Sequence, residues 1–158
     1  MVQAVYQRFA GSCVMLMHRG EDYARYSGSA FLVHKDGYLL TAARCADPGE
    51  DLMAVPAHSG NDFVDVTMEE VAPIPVEVVR TDAEHGVALL RLVPEMEITV
   101  PDHIIGIPER AEIGATVMAL GFAFGHNRLH NLVARSATLS SKIQSPSGSR
   151  LLLFDRLI

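Results

Sequence analysis

Short apolar runs, each broken by turn-forming residues, leave this chain few folds to adopt. The candidate strands are Cys13–Met17, Ser29–His34, Tyr38–Ala42, Asp51–Pro56, Phe63–Met68, Val76–Thr81 and Val87–Val93. After a gap come Thr116–Phe122, Leu129–Thr138 and Leu151–Phe154. Val76-Glu77-Val78-Val79-Arg80 comes close to the two-residue alternation of a half-buried strand. Turn residues separate the runs, as in Arg19-Gly20, Asp47-Pro48-Gly49 and Pro146-Ser147-Gly148. Asp36-Gly37 between two apolar runs predicts a hairpin, because glycine tolerates the positive φ such turns need. No segment sustains an apolar stripe at helical period, and residues 40–46 have room for at most one helical turn. Many short strands at this spacing predict an all-β sandwich or barrel.

The 158 residues suffice for a sizeable core without disulfide staples. With 49% hydrophobic and 20% charged residues the chain is globular in composition. It has no Trp, so aliphatic packing must fill the core. Pro94, Pro101 and Pro108 would interrupt ladder pairing repeatedly, since proline lacks an amide donor. The stretch 94–111 therefore reads as a linker between a first β lobe at 1–93 and a second at 112–158.

The formal net charge of -6 is carried by the first half, where residues 1–79 hold 5 basic and 11 acidic side chains. Residues 80–158 hold 8 of each. No basic run exists, which excludes phosphate recognition by clustered Lys and Arg, and with it a nucleic-acid partner. No apolar run approaches the roughly 18 residues of a membrane span. The apolar run Cys13–Met17 is too short for a signal-peptide core and lacks a basic segment before it. The chain as given is expected to be cytoplasmic, although a leader could have been removed. Cys13 and Cys45 form no CxxC pair, so free buried thiols are expected in a reducing compartment.

Three segments, in order, carry a family resemblance. They are GSAFLVHKDGYLLTAARCA at Gly28–Ala46, the strand from Val78 with Gly86-Val87-Ala88-Leu89-Leu90-Arg91-Leu92, and GATVMALGFAFG at Gly114–Gly125. Together they resemble trypsin-like serine proteases of the HtrA/Deg kind, from roughly Cys13 to the end of the chain. The resemblance implies a double antiparallel β-barrel with an active site in the cleft between the barrels. It implies a complete first barrel and, with the chain stopping at Ile158, a partial second one. It also implies a serine nucleophile, a histidine base and an orienting aspartate.

Position by position, the triad is missing. The histidine position falls on Arg44, and a guanidinium with a pKa above about 12 cannot act as a base at neutral pH. The aspartate position falls on Gly86, which has no side chain. His85 would point to the other side of the strand, and Asp82 lies four residues upstream. The G-[ND]-S-G-G frame that would carry the nucleophile and oxyanion hole is absent; Gly148-Ser149 and Ser27-Gly28-Ser29 do not match it. Three losses together predict a catalytically inactive protease-fold domain that binds a peptide or protein in the cleft or serves as a scaffold. The alternative is the N-terminal part of an active serine endopeptidase whose nucleophile segment lies outside this chain. A third reading is a non-proteolytic β-barrel module with accidental motif similarity.

Other constellations read as ordinary surface or core. His126 and His130 sit in a Gly-flanked loop without an HExxH frame, and His18, His34, His58 and His103 are scattered. Within the resemblance, Cys45 stands where extracellular trypsins place a disulfide cysteine, but the partner position near Ser27 is not cysteine. Arg44 could lower the pKa of Cys45, yet no base is placed beside it. Asp47, Glu50 and Asp51 cluster without EF-hand spacing, and Gly114–Gly125 lacks GxGxxG. Neither a metal nor a cofactor is expected.

Overall fold

Six consecutive residues of the first strand, Cys13 to His18, are buried. A strand can bury both faces only if something packs on each, and here two different layers do. The structure, a computed structural model, describes residues 2–21, 24–49, 51–57, 61–63, 72–125 and 129–155. Among them β1 (Cys13–Arg19), β2 (Ala24–His34), β3 (Tyr38–Ala42), β4 (Leu52–Pro56), β5 (Ile74–Asp82) and β6 (Val87–Leu92) close into one antiparallel barrel. Its order is β1-β2-β3-β6-β5-β4. β7 (Thr116–Gly121), β8 (Val133–Gln144) and β9 (Arg150–Phe154) form a separate three-stranded antiparallel sheet. The expected complete first barrel and partial second barrel are both present.

Alternation sorts the side chains of β1. Val14 and Leu16 point into the barrel, where they meet Leu32, Leu39, Leu52, Ala54 and Leu90. Met15 and Met17 point outward and join Met53 and Val55 of β4 against Phe122 and Leu132 from the second lobe. The outer face of β1 and β4 is therefore the seam between the lobes. Two polar links cross the same seam. The Phe122 amide donates to Ser29 Oγ at 3.0 Å, and His130 Nδ1 lies 2.9 Å from the Pro56 carbonyl.

The hairpin expected at Asp36-Gly37 joins β2 to β3, with Gly37 at φ +82°. Other boundaries moved. β2 begins at Ala24 and not Ser29, because Tyr26 and Ala24 still pair with Met17 and Arg19 of β1 past a bulge at Leu16/Met17. The last long strand starts at Val133 and runs to Gln144, later than the expected Leu129–Thr138. Its hairpin to β9 carries it onward, with the Gly148 amide donating to the Ser145 carbonyl at 2.9 Å. The expected strand Phe63–Met68 lies outside the described residues beyond Phe63, which itself is in no strand.

The chain also contains a helix that periodicity did not predict. α1 (Val2–Phe9) has eight residues and buries none of them fully. Just over two turns are too few to sustain a visible stripe, and Tyr6 alone packs on the seam cluster. Residues 93–115 contain no strand, only a 3-10 turn at Pro108–Arg110. Ile98 and Val100 from this stretch pack against the barrel core. No described helix is long and apolar enough to cross a membrane.

Candidate functional site

β3 ends at Ala42, and the chain turns through a short 3-10 segment, Ala43–Cys45, that carries Arg44. Two contacts set this turn. The Ser27 hydroxyl donates to the Cys45 carbonyl at 2.9 Å, and the Ala43 amide donates to the Gly86 carbonyl at 2.8 Å. The second bond brings the two positions of interest, Arg44 and Gly86, to the same end of the barrel. Arg44 is exposed and so is Gly86.

Gly86 has φ +68°, a left-handed conformation that side chains rarely adopt. It closes the β5–β6 turn, which is built by Asp82 and His85. The His85 amide donates to Asp82 Oδ1 at 3.1 Å, and His85 Nδ1 lies 2.8 Å from Asp82 Oδ2. Those bonds, the amide first and the ring second, hold the Asp82 carboxyl below its ordinary range. Both side chains are about half exposed, at 51% for Asp82 and 50% for His85. The Asp82 carboxylate, four residues before Gly86, is thus spent on its own turn.

Beside this end of the barrel a groove of about 730 Å³ opens between the barrel, α1 and β7. Phe9, Phe31, Ala42, Gly86, Met118 and Leu120 are among the residues that line it. His103, the one described non-glycine residue with positive φ (60°), also lines it. The Arg8 guanidinium donates to the Asp102 carbonyl at 2.8 Å and so ties the loop carrying His103 to α1.

A comparison of the chain with family models gives one match. The model described as a trypsin-like peptidase domain covers residues 28–155. The chain belongs to the trypsin-like peptidase domain family. No curated protein matches it. Among solved structures, an "HtrA-type protease AlgW with decapeptide" is similar with a TM-score of 0.72 at 15% identity, over 98% of this chain and 51% of that one. An "HtrA-type protease AlgWS227A with tripeptide" gives 0.69 at 18% identity, over 96% and 45%. A third, "HtrA-type protease AlgW with tripeptide", gives 0.68 at 19% identity, over 94% and 42%. The chain therefore spans about half the length of these structures, and the likeness is one of fold.

Within this trypsin-like peptidase domain the remaining candidates separate cleanly. Cys45 is buried and free, as is Cys13. Cys45 packs so closely on Gly28 that a Cβ there would stand 2.5 Å from the thiol sulfur. The glycine of the GSAF motif is thus a packing requirement of the Arg44 turn. Burial pushes the Cys13 thiol up to about 11, away from the thiolate that nucleophilic chemistry needs. Ser145, Ser147 and Ser149 hydrogen bond with one another in the β8–β9 turn. Ser29 accepts the Phe122 amide. Asp47 Oδ1 accepts the Gly49 amide at 2.9 Å and closes its own loop. Glu50 and His126 lie outside the described residues. Among the described residues no three His, Cys, Asp or Glu side chains stand together as a metal site.

Sequence reasoning did not find the Ser29 link. Its signal was there in the serine of GSAF, which sits on a strand pointing out of the barrel between Gly28 and Ala30.

Proposed function

We propose that this trypsin-like domain does not cleave peptide bonds by a serine triad and acts by binding, with the cleft between its lobes taking an extended peptide or protein segment. The observation that carries the reading is the pair Arg44 and Gly86, held together through the Ala43–Gly86 hydrogen bond. The resemblance assigns the base to one and its orienting carboxylate to the other. A guanidinium stays protonated at neutral pH and a glycine accepts nothing through a side chain, so no proton can be taken from a nucleophile here. The same reading gives 1–93 to the first barrel, 94–111 to the linker and 112–158 to the partial second barrel. It puts the two free buried thiols in the cytoplasm.

Binding is supported by the groove lined by Phe9, Phe31 and Met118, since apolar clefts with a few polar groups are where proteins hold ligands. Similar folds hold a decapeptide and a tripeptide, as the HtrA-type structures state. The deciding experiment incubates the chain with casein, fluorogenic peptides and a fluorophosphonate, and screens an extended-peptide library by fluorescence anisotropy. No turnover, no labelled serine and a peptide whose binding is lost in Met118→Asp are expected. A labelled serine whose replacement abolishes both labelling and hydrolysis would overturn the reading.

A further inference from the structure

Arg44 is an exposed cation on a turn that is held from both sides. The Ala43 amide before it donates to the Gly86 carbonyl at 2.8 Å, and the Cys45 carbonyl after it accepts the Ser27 hydroxyl at 2.9 Å. Cys45 itself is buried and packs on Gly28. The main chain of residue 44 is therefore fixed, while its guanidinium has neither a hydrogen-bond nor an ion-pair partner among the described residues. A surface arginine can stay hydrated at little cost, so exposure alone assigns it no role. Its place in the fold does. Ala42, two residues before it, lines the groove of about 730 Å³, and so does Gly86, to which its turn is bonded. Two residues of chain span at most about 7 Å, a distance that a flexible arginine side chain covers.

The groove wall carries no negative charge. Among the described residues that line it there is no Asp and no Glu, although the chain has 19 of them and a net charge of -6. His103 is the one side chain among them that can gain a positive charge. Carboxylates do stand near the rim, and each has a basic neighbour. Both oxygens of Asp82 are taken by His85, through the amide and the ring. Asp102, beside His103, has the Arg8 guanidinium on its carbonyl. An apolar, carboxylate-free groove with a fixed and unpaired cation at its edge is complementary to a segment that brings apolar side chains and one negative charge.

Building on the binding reading above, we propose that the segment held in this groove bears an acidic side chain, Asp or Glu, next to bulky apolar residues, and that Arg44 grips its carboxylate. The planar guanidinium fork matches a carboxylate through two parallel N–H···O bonds, and it stays protonated at every pH near neutrality. The position that the resemblance gives to a proton acceptor thereby serves as an anion anchor, and no bond of the bound segment is broken. Gly86 fits this use as well. With no side chain it adds no carboxylate of its own to compete for the guanidinium. A lysine at the same place in the segment meets a like charge and is rejected, while a glutamine keeps the shape and loses the charge.

Fluorescence anisotropy tests this with labelled, C-terminally amidated leucine–alanine peptides, along which a single Glu, Gln or Lys is walked through the same positions. At one or two positions the Glu peptide is expected to bind at least about fivefold tighter than the Gln peptide, and the Lys peptide more weakly than either. The Glu advantage should shrink at high salt. Arg44→Gln is expected to bring the Glu and Gln peptides to equal affinity, and Arg44→Glu to turn the preference toward Lys. Arg44→Lys should keep the sign of the preference at a smaller size, because the fork is lost. A Glu advantage that survives in Arg44→Gln overturns the proposal. So does an advantage seen only when the Gln peptide carries a free C-terminal carboxylate, which would mean that the anchor reads a chain end. Peptides that bind, weaken in Met118→Asp and do not distinguish Glu from Gln overturn the acidic preference and leave the binding reading standing. If no peptide of any series binds, both fall.

Discussion

The Ala43 amide donates to the Gly86 carbonyl at 2.8 Å, so the turn bearing Arg44 is fastened to the turn that opens β6. Because Gly86 sits at φ +68°, the fastening depends on a conformation that an aspartate resists. Gly86→Ala should cost about 1 kcal/mol in urea unfolding, since no atom stands within 4 Å of the added methyl and the backbone term acts alone. The pair Arg44→His with Gly86→Asp should lose stability by a similar amount and should still not hydrolyse fluorogenic peptides. Appearance of serine-dependent turnover in that double variant would show that these two positions alone silence the domain.

The first barrel was largely legible because its strands are short apolar runs bounded by turn residues, glycine among them. The Asp36-Gly37 hairpin is the plainest case, with Gly37 at the positive φ its type predicts. α1 was not legible, since eight residues with none fully buried leave no stripe to read. The start of β8 was misplaced because the apolar residue Leu132 belongs to the lobe seam, where it is buried, and not to the ladder. At the candidate site the residue types could be read, but the Asp82–His85 pair and the Ser29 link could not. Both depend on which side chains turns and bulges bring together, and composition carries no record of that.

Gly28 and Cys45 are coupled through a single close approach. A Cβ on residue 28 would lie 2.5 Å from Cys45 Sγ and 3.2 Å from Cys45 Cβ. Gly28→Ala should therefore destabilise by about 1 to 3 kcal/mol, the usual cost of overpacking. Cys45→Ala removes the sulfur, so the double variant should be more stable than the sum of the singles predicts, by about 1 kcal/mol. Additive losses in the double-mutant cycle would place the strain elsewhere.

Cys13 should make stability fall in alkali. Its folded-state pKa is raised to about 11 from 9.0 by burial, so below pH 9.0 the thiol is neutral in both states and its contribution is complete. Between pH 9.0 and about 11 the unfolded chain loses this proton first, and stability falls as pH rises. The drop attributable to this group is roughly 2 kcal/mol. Urea unfolding across that range should show a steeper decline for the native chain than for Cys13→Ala, with parallel curves below pH 9.0. Equal slopes would mean that the thiol ionises alike in both states.

Ser29 and Phe122 join the two lobes by a hydrogen bond that enters the seam from β2. The Phe122 amide donates to Ser29 Oγ at 3.0 Å, and Phe122 is 1% exposed, so water cannot readily replace the lost acceptor. Ser29→Ala should cost about 1 to 3 kcal/mol, the penalty for a buried donor left unsatisfied. The Thr41 hydroxyl donates to the Ser29 carbonyl at 2.7 Å, a bond that uses only the main chain of residue 29 and should persist. Hydrogen exchange separates the two effects: the Phe122 amide should exchange at least about tenfold faster in the variant, with the β2–β3 ladder amides unchanged. If Phe122 exchange does not move, the apolar contacts of Met15, Met53 and Leu132 and the His130–Pro56 link carry the attachment, and the serine of the GSAF motif has no structural part in joining the lobes.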